Sequence, residues 1–310
     1  QSHTMAEPIL KWVGGKRQLL DRLLARFPQE HAGYHEPFMG GGAVFFALEP
    51  ATATVNDTNA RLINFYEQVR DAPEALIATA EAFDAPEGPP DPDRPFAETL
   101  RDGSTPESYY YQQRAIYNRR PCGEPFDPLE EAALLLYLNR TGFNGLYREN
   151  ADGLFNAPQG RYDNPDWVRA EQVRSASAAL QGAAVFNGDF SYVEEQATAG
   201  DLVYFDPPYE PMSRTASFTS YAADGFDADD QQRLLDLCER LDAAGVSVVL
   251  SNSGVMYDLY AEIGFAVEIE GATRAINSDA SNRGEVDEII ATNVPADEQR
   301  RALQMRITEY

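Results

Sequence analysis

The chain reads as an α/β protein in which a mixed, mostly parallel sheet is interrupted by a mainly helical insert. Three observations lead there. Short apolar runs ending in small or polar residues recur at 184–186, 202–205 and 246–252, as strands covered on both faces do. A glycine turn, Gly40-Gly41-Gly42, follows a short strand-like element and precedes a helix start, the rhythm of an α/β unit. From about residue 60 to 180, strand signals vanish and helical spacing dominates.

The elements follow in order. "YHEPFMGGGAVFFAL" (34–48) supplies a strand, the turn and a helix, and "ATATVND" (51–57) is a β-rich run that ends on an acid. "LEEAALLLYLNR" (129–140) is apolar nearly all round, which predicts a buried helix. Asp227 to Leu241 sets Leu234, Leu235, Leu237, Cys238 and Leu241 on one broad face, with an aspartate start and Gly245 as the stop. "FAVEIEGATR" (265–274) and "EVDEIIATN" (285–293) predict an antiparallel hairpin with a long polar loop. The proline- and acid-rich "DAPEGPPDPDRP" (84–95) predicts an exposed loop or a disordered insert. The expected domains are 6–60 with 181–295, an insert at 61–180, and a tail at 296–310. Gln1 to Thr4, ahead of Met5, are expected to be a cloning remnant.

With 310 residues and 43% apolar composition, the chain can bury a substantial core. No run approaches the roughly 18 apolar residues that span a bilayer, and no signal-like segment opens the chain, so a cytoplasmic location is expected; a monomer is expected as well. Cys122 and Cys238 are too far apart for a disulfide framework or a zinc spacing, and no metal is expected. His31 and His35 sit in no nucleophile pattern.

Fifty acidic against 25 basic residues give a net charge of -25, which by itself argues against a polyanionic partner. The bases, however, are distributed unevenly. Twenty-three of them are arginine, the only lysines being Lys11 and Lys16. Such an acid-rich, lysine-poor composition suits a salt-loaded cytoplasm, where screening makes self-repulsion tolerable, and points to a halophilic host. Residues 9–26 carry +4 (five bases against Asp21) and residues 107–162 only -1 (six arginines against seven acids). Two segments are therefore spared the general acidity and can face a polyanion.

Two motifs carry chemistry. The glycine turn fails the dinucleotide fingerprint, which needs glycine where Phe45 stands, and "WVGGKRQ" (12–18) lacks the spacer and hydroxyl of a P-loop. What remains is a turn that lets a ligand approach the backbone, with Asp57 ending the next strand, placed to take ribose hydroxyls. Asp206-Pro207-Pro208-Tyr209, at the end of the 202–205 run, is more specific. An exocyclic amino group of a base is a poor nucleophile because its lone pair is delocalised into the ring. A carboxylate taking one N–H and a fixed carbonyl taking the other favour the attacking form, and a tyrosine can stack on the base.

With "LKWVGGK" (10–16) and "YLNRTGFNGLYREN" (137–150), these motifs resemble, in order, those of the Dam-type DNA adenine-N6 methyltransferases, from about Leu10 to Thr292. The resemblance implies a Rossmann-like class I methyltransferase fold with an inserted, mainly helical DNA-recognition domain. It also implies that S-adenosyl-L-methionine is held by Trp12, Lys16, Glu36, Pro37, Phe38, Gly40, Gly42 and Asp57, with Asp189 near the adenine and Asp206 beside it. Asp206 and the Pro207 carbonyl would take the target N6, and Tyr209 would stack on the flipped base.

For double-stranded DNA, similarity to the family points to Lys11 and Arg148 on the two guanines, and to Leu146 with Pro158 on a thymine methyl. Phe143 would intercalate, Asn144 would face the orphaned thymine, and Arg140, Arg161 and Tyr162 complete the surface. GATC is the expected site, in a halophilic archaeon or its virus, with or without a restriction partner. Glu149 inside the recognition loop and Thr141 and Phe143 in place of tyrosines depart from the family pattern; Arg274, Asn277 and Arg283, in the loop of the C-terminal hairpin, could either grip phosphate or form a solvated loop. Methylation of cytosine N4 or of RNA is the alternative chemistry, although Asp206 stands where serine is usual for cytosine. A non-catalytic DNA-binding regulator is the alternative class.

Overall fold

In a computed structural model, residues 5–14, 19–83, 109–208, 226–270 and 288–308 are described, and they form a mixed seven-stranded sheet with eleven α-helices. They divide into two compact units. One takes in Gln1–Arg17, Gly40–Glu49 and Asn59–Asn187, the other Gln18–Met39, Pro50–Thr58 and Gly188–Tyr310.

The second unit holds most of the sheet, together with the short helices α8 (Val193–Gln196) and α10 (Tyr257–Glu262). β1 (Tyr34–Glu36), β2 (Ala53–Asp57), β4 (Leu202–Phe205) and β5 (Ser247–Ser253) are parallel. β7 (Glu288–Thr292) pairs antiparallel with β5, and β6 (Ala266–Glu270) antiparallel with β7, so these six run in the order β2-β1-β4-β5-β7-β6. The predicted terminal hairpin is thus present, while its loop, 271–287, lies outside the described residues. Pairing in register, Glu36 with Val55 and Phe205 with Leu250, brings the C-terminal ends of the parallel strands to one edge.

Burial explains the apolar runs. Val203, Phe205, Val248 and Leu250 pack with Leu234, Leu237, Cys238 and Leu241 of α9 (Ala228–Ala243) in one core. α9 starts where the sequence predicts, at a capping box in which Asp227 and Asp230 each accept from the other's backbone N–H. His35 is a structural link: its ring nitrogens lie 2.7 Å from Thr54 Oγ1 and 2.8 Å from Asp201 Oδ2.

The segment expected as a tail carries α11 (Arg300–Thr308), and its backbone is tied to the end of α1 (Leu20–Arg26) by Arg300 N–H donating to the Phe27 carbonyl, 2.9 Å. A cluster of Arg22, Arg26 and Arg301 with Glu268 and Glu270 flanks it.

The first unit is built round α6 (Pro128–Thr141), which is buried on nearly all sides, as its composition predicts. Asp127 caps it through the Glu130 N–H at 2.8 Å, and Pro128 fits the first turn, where no N–H is needed. Against it lie α3 (Ala60–Asp71), α4 (Pro73–Glu81) and α5 (Tyr109–Tyr117), with α7 (Ala170–Leu180) against α3 and α4. Short α2 (Ala43–Leu48) follows the glycine turn, and β3 (Ala183–Asn187) ends the unit. Among the described residues no strand falls between α3 and α7.

Candidate active site

Three parallel strands end side by side on acids in the second unit. β1 ends on Glu36, β2 on Asp57, and β4 leads into Asp206 and Pro207. Ligands of open α/β sheets bind beyond the C-terminal strand ends, so the sheet register puts these groups where a ligand is expected. Glu36 is almost fully buried and accepts from Tyr34 Oη at 2.9 Å. Burial, then the Glu36 charge, hold the Tyr34 phenol far above its ordinary range, so it remains a donor. Burial and then the Asp206 charge do the same to Tyr204 beneath the fourth strand's end. Asp206 is half-buried and Pro207 buried.

Asn56 fixes this edge. Its buried side-chain amide donates to the Pro37 carbonyl at 3.0 Å and to the Gly188 carbonyl at 2.9 Å, and its backbone carbonyl accepts from Met39 N–H at 2.9 Å. Phe38 packs among Phe190, Phe205 and Phe226, with ring centroids 5.5, 6.4 and 5.8 Å away. Asp189 caps a short 3-10 turn through Ser191 N–H and takes Arg233 Nη2 at 2.6 Å. Burial raises its pKa, but the bonds from Arg233 and Ser191 outweigh that and hold the carboxyl below its ordinary value.

In the first unit, Lys11 and Trp12 lie against two glycine-bearing turns. Asn139 of α6 accepts from Lys11 N–H at 2.8 Å and donates to the Lys11 carbonyl at 2.7 Å and the Gly145 carbonyl at 3.3 Å. A Cβ at Gly145, whose φ is +62°, would fall 2.5 Å from Lys11 Cβ, so glycine is required there. Lys11 Nζ lies 3.4 Å from Tyr162 Oη and 4.7 Å from that ring's centroid. Trp12 packs on the glycine turn, where a Cβ at Gly41 would meet Trp12 Cβ at 2.9 Å. Its ring also stacks on Tyr147, centroids 5.1 Å apart.

Beyond α6 the chain forms an exposed tip. Phe143 is 42% exposed, and Asn144 takes the left-handed conformation (φ 52°, ψ 19°) that asparagine tolerates. Residues 148–156 fold back as a hairpin, with Asn156 N–H donating to the Arg148 carbonyl and Asn150 N–H to the Leu154 carbonyl, both at 2.9 Å. The exposed Arg148 is steadied by Asn156, Nε to Oδ1 at 2.7 Å and Nη2 to the carbonyl at 3.2 Å.

Residues 12–277 match the D12 class N6 adenine-specific DNA methyltransferase family. The chain belongs to this family. It is 40% identical to a type II methyltransferase of Lactococcus lactis subsp. cremoris, covering 92% of this chain and 95% of the relative. It is 35% identical to a type II methyltransferase of Methanocaldococcus jannaschii, covering 89% and 95%. It is 33% identical to the DNA adenine methylase of Escherichia coli K12, covering 92% and 95%. The protein is an adenine-specific DNA methyltransferase.

The methyltransferase keeps most of its sequence-predicted site residues within the described regions; Lys16 and Tyr209 lie outside them, as do Arg274, Asn277, Arg283 and the 84–95 segment. Glu36, Pro37, Phe38, Asp57, Asp189, Asp206 and Pro207 fall in the second unit. Lys11, Trp12, Gly40, Gly42, Arg140, Phe143, Asn144, Leu146, Arg148, Pro158, Arg161 and Tyr162 fall in the first. Arg161 is exposed, while Arg140, Leu146, Pro158 and Tyr162 are half-buried. The Pro158 carbonyl accepts from Phe143 N–H at 2.8 Å.

Glu149, a departure from the family pattern, has a structural role, taking Tyr147 Oη at 2.7 Å and Arg61 Nη2 at 3.3 Å. Sequence reasoning passed over Asn56, Arg61, Asn139 and Tyr147. Asn139 and Tyr147 lie inside the 137–150 motif, but nothing local marks their partners Lys11 and Trp12. Among the described residues no group of three His, Cys, Asp or Glu could hold a metal ion, and no helix is long and apolar enough to cross a membrane.

Proposed function

We propose that the protein transfers a methyl group from S-adenosyl-L-methionine to adenine N6 in duplex DNA at GATC, flipping the target base. The observation that carries this reading is the set of acids at the adjacent ends of parallel β1, β2 and β4, ending in Asp206-Pro207. These residues fit the cofactor chemically: Glu36 and Asp57 offer acceptors for hydroxyls and ammonium, and the carboxylate field suits a sulfonium cation. Trp12, Lys16, Pro37, Phe38, Gly40, Gly42 and Asp189 are the other residues assigned to it. Bound there, the cofactor supplies an electrophilic methyl group.

Asp206 and the Pro207 carbonyl accept the two N–H bonds of the amino group and free its lone pair, while Tyr209 stacks on the base. Lys11 and Arg148 donate to guanine edges, Leu146 and Pro158 contact a thymine methyl, and Arg140, Arg161 and Tyr162 hold the duplex. The exposed Phe143 and left-handed Asn144 support an intercalating tip. The catalytic domain is assigned to 6–60 and 181–295 and target recognition to 61–180. The acid-rich composition supports a monomer working in a salt-loaded cytoplasm.

Nucleoside mass spectrometry on duplexes with one intact or one altered GATC tests this. N6-methyladenine from the intact duplex alone is expected. N4-methylcytosine, or methylation of RNA in its place, would favour the other amino-group chemistry, and tight binding without any methylated nucleoside would favour a regulator.

A further inference from the structure

We propose, on the reading of Trp12 as a cofactor contact, that Tyr147 is a positioning residue through which occupation of the recognition hairpin sets cofactor affinity. The indole of Trp12 packs on the glycine turn and stacks on the Tyr147 ring at 5.1 Å and 28°. The turn is itself anchored, since Tyr66 Oη donates to the Gly40 carbonyl at 2.6 Å. On the other side, the Tyr147 phenol donates to Glu149 Oε1 at 2.7 Å and lies 3.0 Å from Tyr117 Oη. Burial first, then the Glu149 charge against the opposing Arg61, keeps that phenol protonated well above its ordinary range.

Arg61 closes the chain. Its guanidinium, buried and 4.2 Å from the Tyr117 ring centroid, donates to Glu149, to the Gly153 carbonyl at 2.6 Å and to the Tyr117 carbonyl at 3.3 Å. Gly153 lies in the turn of the hairpin that presents Arg148 and Glu149 on its first limb, so the limb that carries Arg148 and the turn beyond it are held by the group that holds Tyr147. A tyrosine is suited to this position because it combines a ring for Trp12 with a hydroxyl for the hairpin. Bases that grip Arg148 and shift the hairpin would move Tyr147 against Trp12 or break its bonds. By linkage, the duplex then changes cofactor affinity by the same factor as the cofactor changes duplex affinity.

Trp12 and Trp167 are the protein's two tryptophans, so Trp167→Phe leaves Trp12 as the only tryptophan emitter. In that background, S-adenosylmethionine is titrated with and without a GATC duplex, by Trp12 emission and in parallel by equilibrium dialysis. The duplex is expected to change the cofactor Kd by a factor of roughly 5–150, the usual range for coupled sites. Tyr147→Phe, which keeps the ring, is expected to bring that factor close to one, with a smaller effect on the Kd without DNA. Tyr147→Leu is expected to lose both coupling and affinity; should it fail to fold, Tyr147→Phe carries the test. An unchanged factor in Tyr147→Phe, or no coupling in the parent, overturns the proposal and leaves the Trp12 assignment standing. Trp12 emission that ignores cofactor shown by dialysis to be bound overturns that assignment, and the role of Tyr147 with it.

Discussion

The strand ends of the second unit and the 148–156 hairpin of the first are held by different physics. At the strand ends, position comes from the sheet: parallel ladders set β1, β2 and β4 in register, so that Glu36 and Asp57 close two strands and Asp206 follows the third, and Asn56 ties the loops beyond them. The hairpin has no such ladder. Gly142 and Glu149 make isolated bridges to Gln159 and Phe155, a few backbone bonds join residues 148–156, and side chains from distant helices supply the rest. Asn139 grips the backbone of Lys11, Arg61 that of Gly153, and Tyr110 and Arg114 each donate to the Ala157 carbonyl at 3.0 Å. A scaffold of strands suits chemistry that needs fixed acceptors, whereas a hairpin pinned at a few buried polar points can adjust to bases.

If this division is right, substitutions in the two regions should separate turnover from binding. The largest expected effect is at the fourth strand's end: Asp206→Ala should lower the methyl-transfer rate by at least about 10²–10³-fold, with duplex affinity retained in anisotropy titrations. Loss of duplex binding with turnover intact would break the comparison. Next, Asn139→Leu leaves the Lys11 N–H and carbonyl unsatisfied and should cost about 1–3 kcal/mol in denaturant unfolding, weakening duplex binding more than cofactor binding. Asn56→Leu, of similar cost, should do the reverse.

How much of this could be read from the sequence follows the same line. The apolar strands, the buried helix 129–140, the capped helix from Asp227 and the acids at the strand ends are written in local spacing, because alternation, caps and turn residues act over a few positions. Asn139 is an asparagine in an apolar helix whose chief partner, Lys11, is 128 residues away, and the Arg61–Glu149 pair spans 88 residues. Such contacts follow from tertiary packing, which no short window encodes. Glu149 accordingly reads as an intruder in the loop until Arg61 and Tyr147 are seen beside it.

Smaller effects sharpen the contrast. Phe143→Ala removes an exposed ring, so its stability should stay within about 0.5 kcal/mol of the parent's, while 2-aminopurine fluorescence at the target position should lose its flipping signal. Last is acid stability in the sheet unit. Burial raises the Asp201 pKa, yet bonds from His35 and the Thr198 and Gly33 N–H groups outweigh it and hold the carboxyl below its ordinary value. A depressed carboxyl stabilises the fold above the ordinary carboxylate range, and that contribution is lost as pH falls through the folded-state value. Unfolding free energy should therefore decline in acid below about pH 4, and less steeply in Asp201→Asn.

The most direct test of the account is to incubate the protein with unmethylated plasmid and S-adenosylmethionine across a KCl series and map modified bases by single-molecule sequencing. Counterion release weakens phosphate contacts steeply with salt, so at molar KCl binding to random duplex should collapse while readout by base contacts persists. The predicted result is N6-methyladenine confined to GATC at every salt that supports turnover. Methylation at another sequence would contradict the roles given to Lys11, Leu146, Arg148 and Pro158, and none at any salt from folded protein would contradict the chemistry assigned to Asp206.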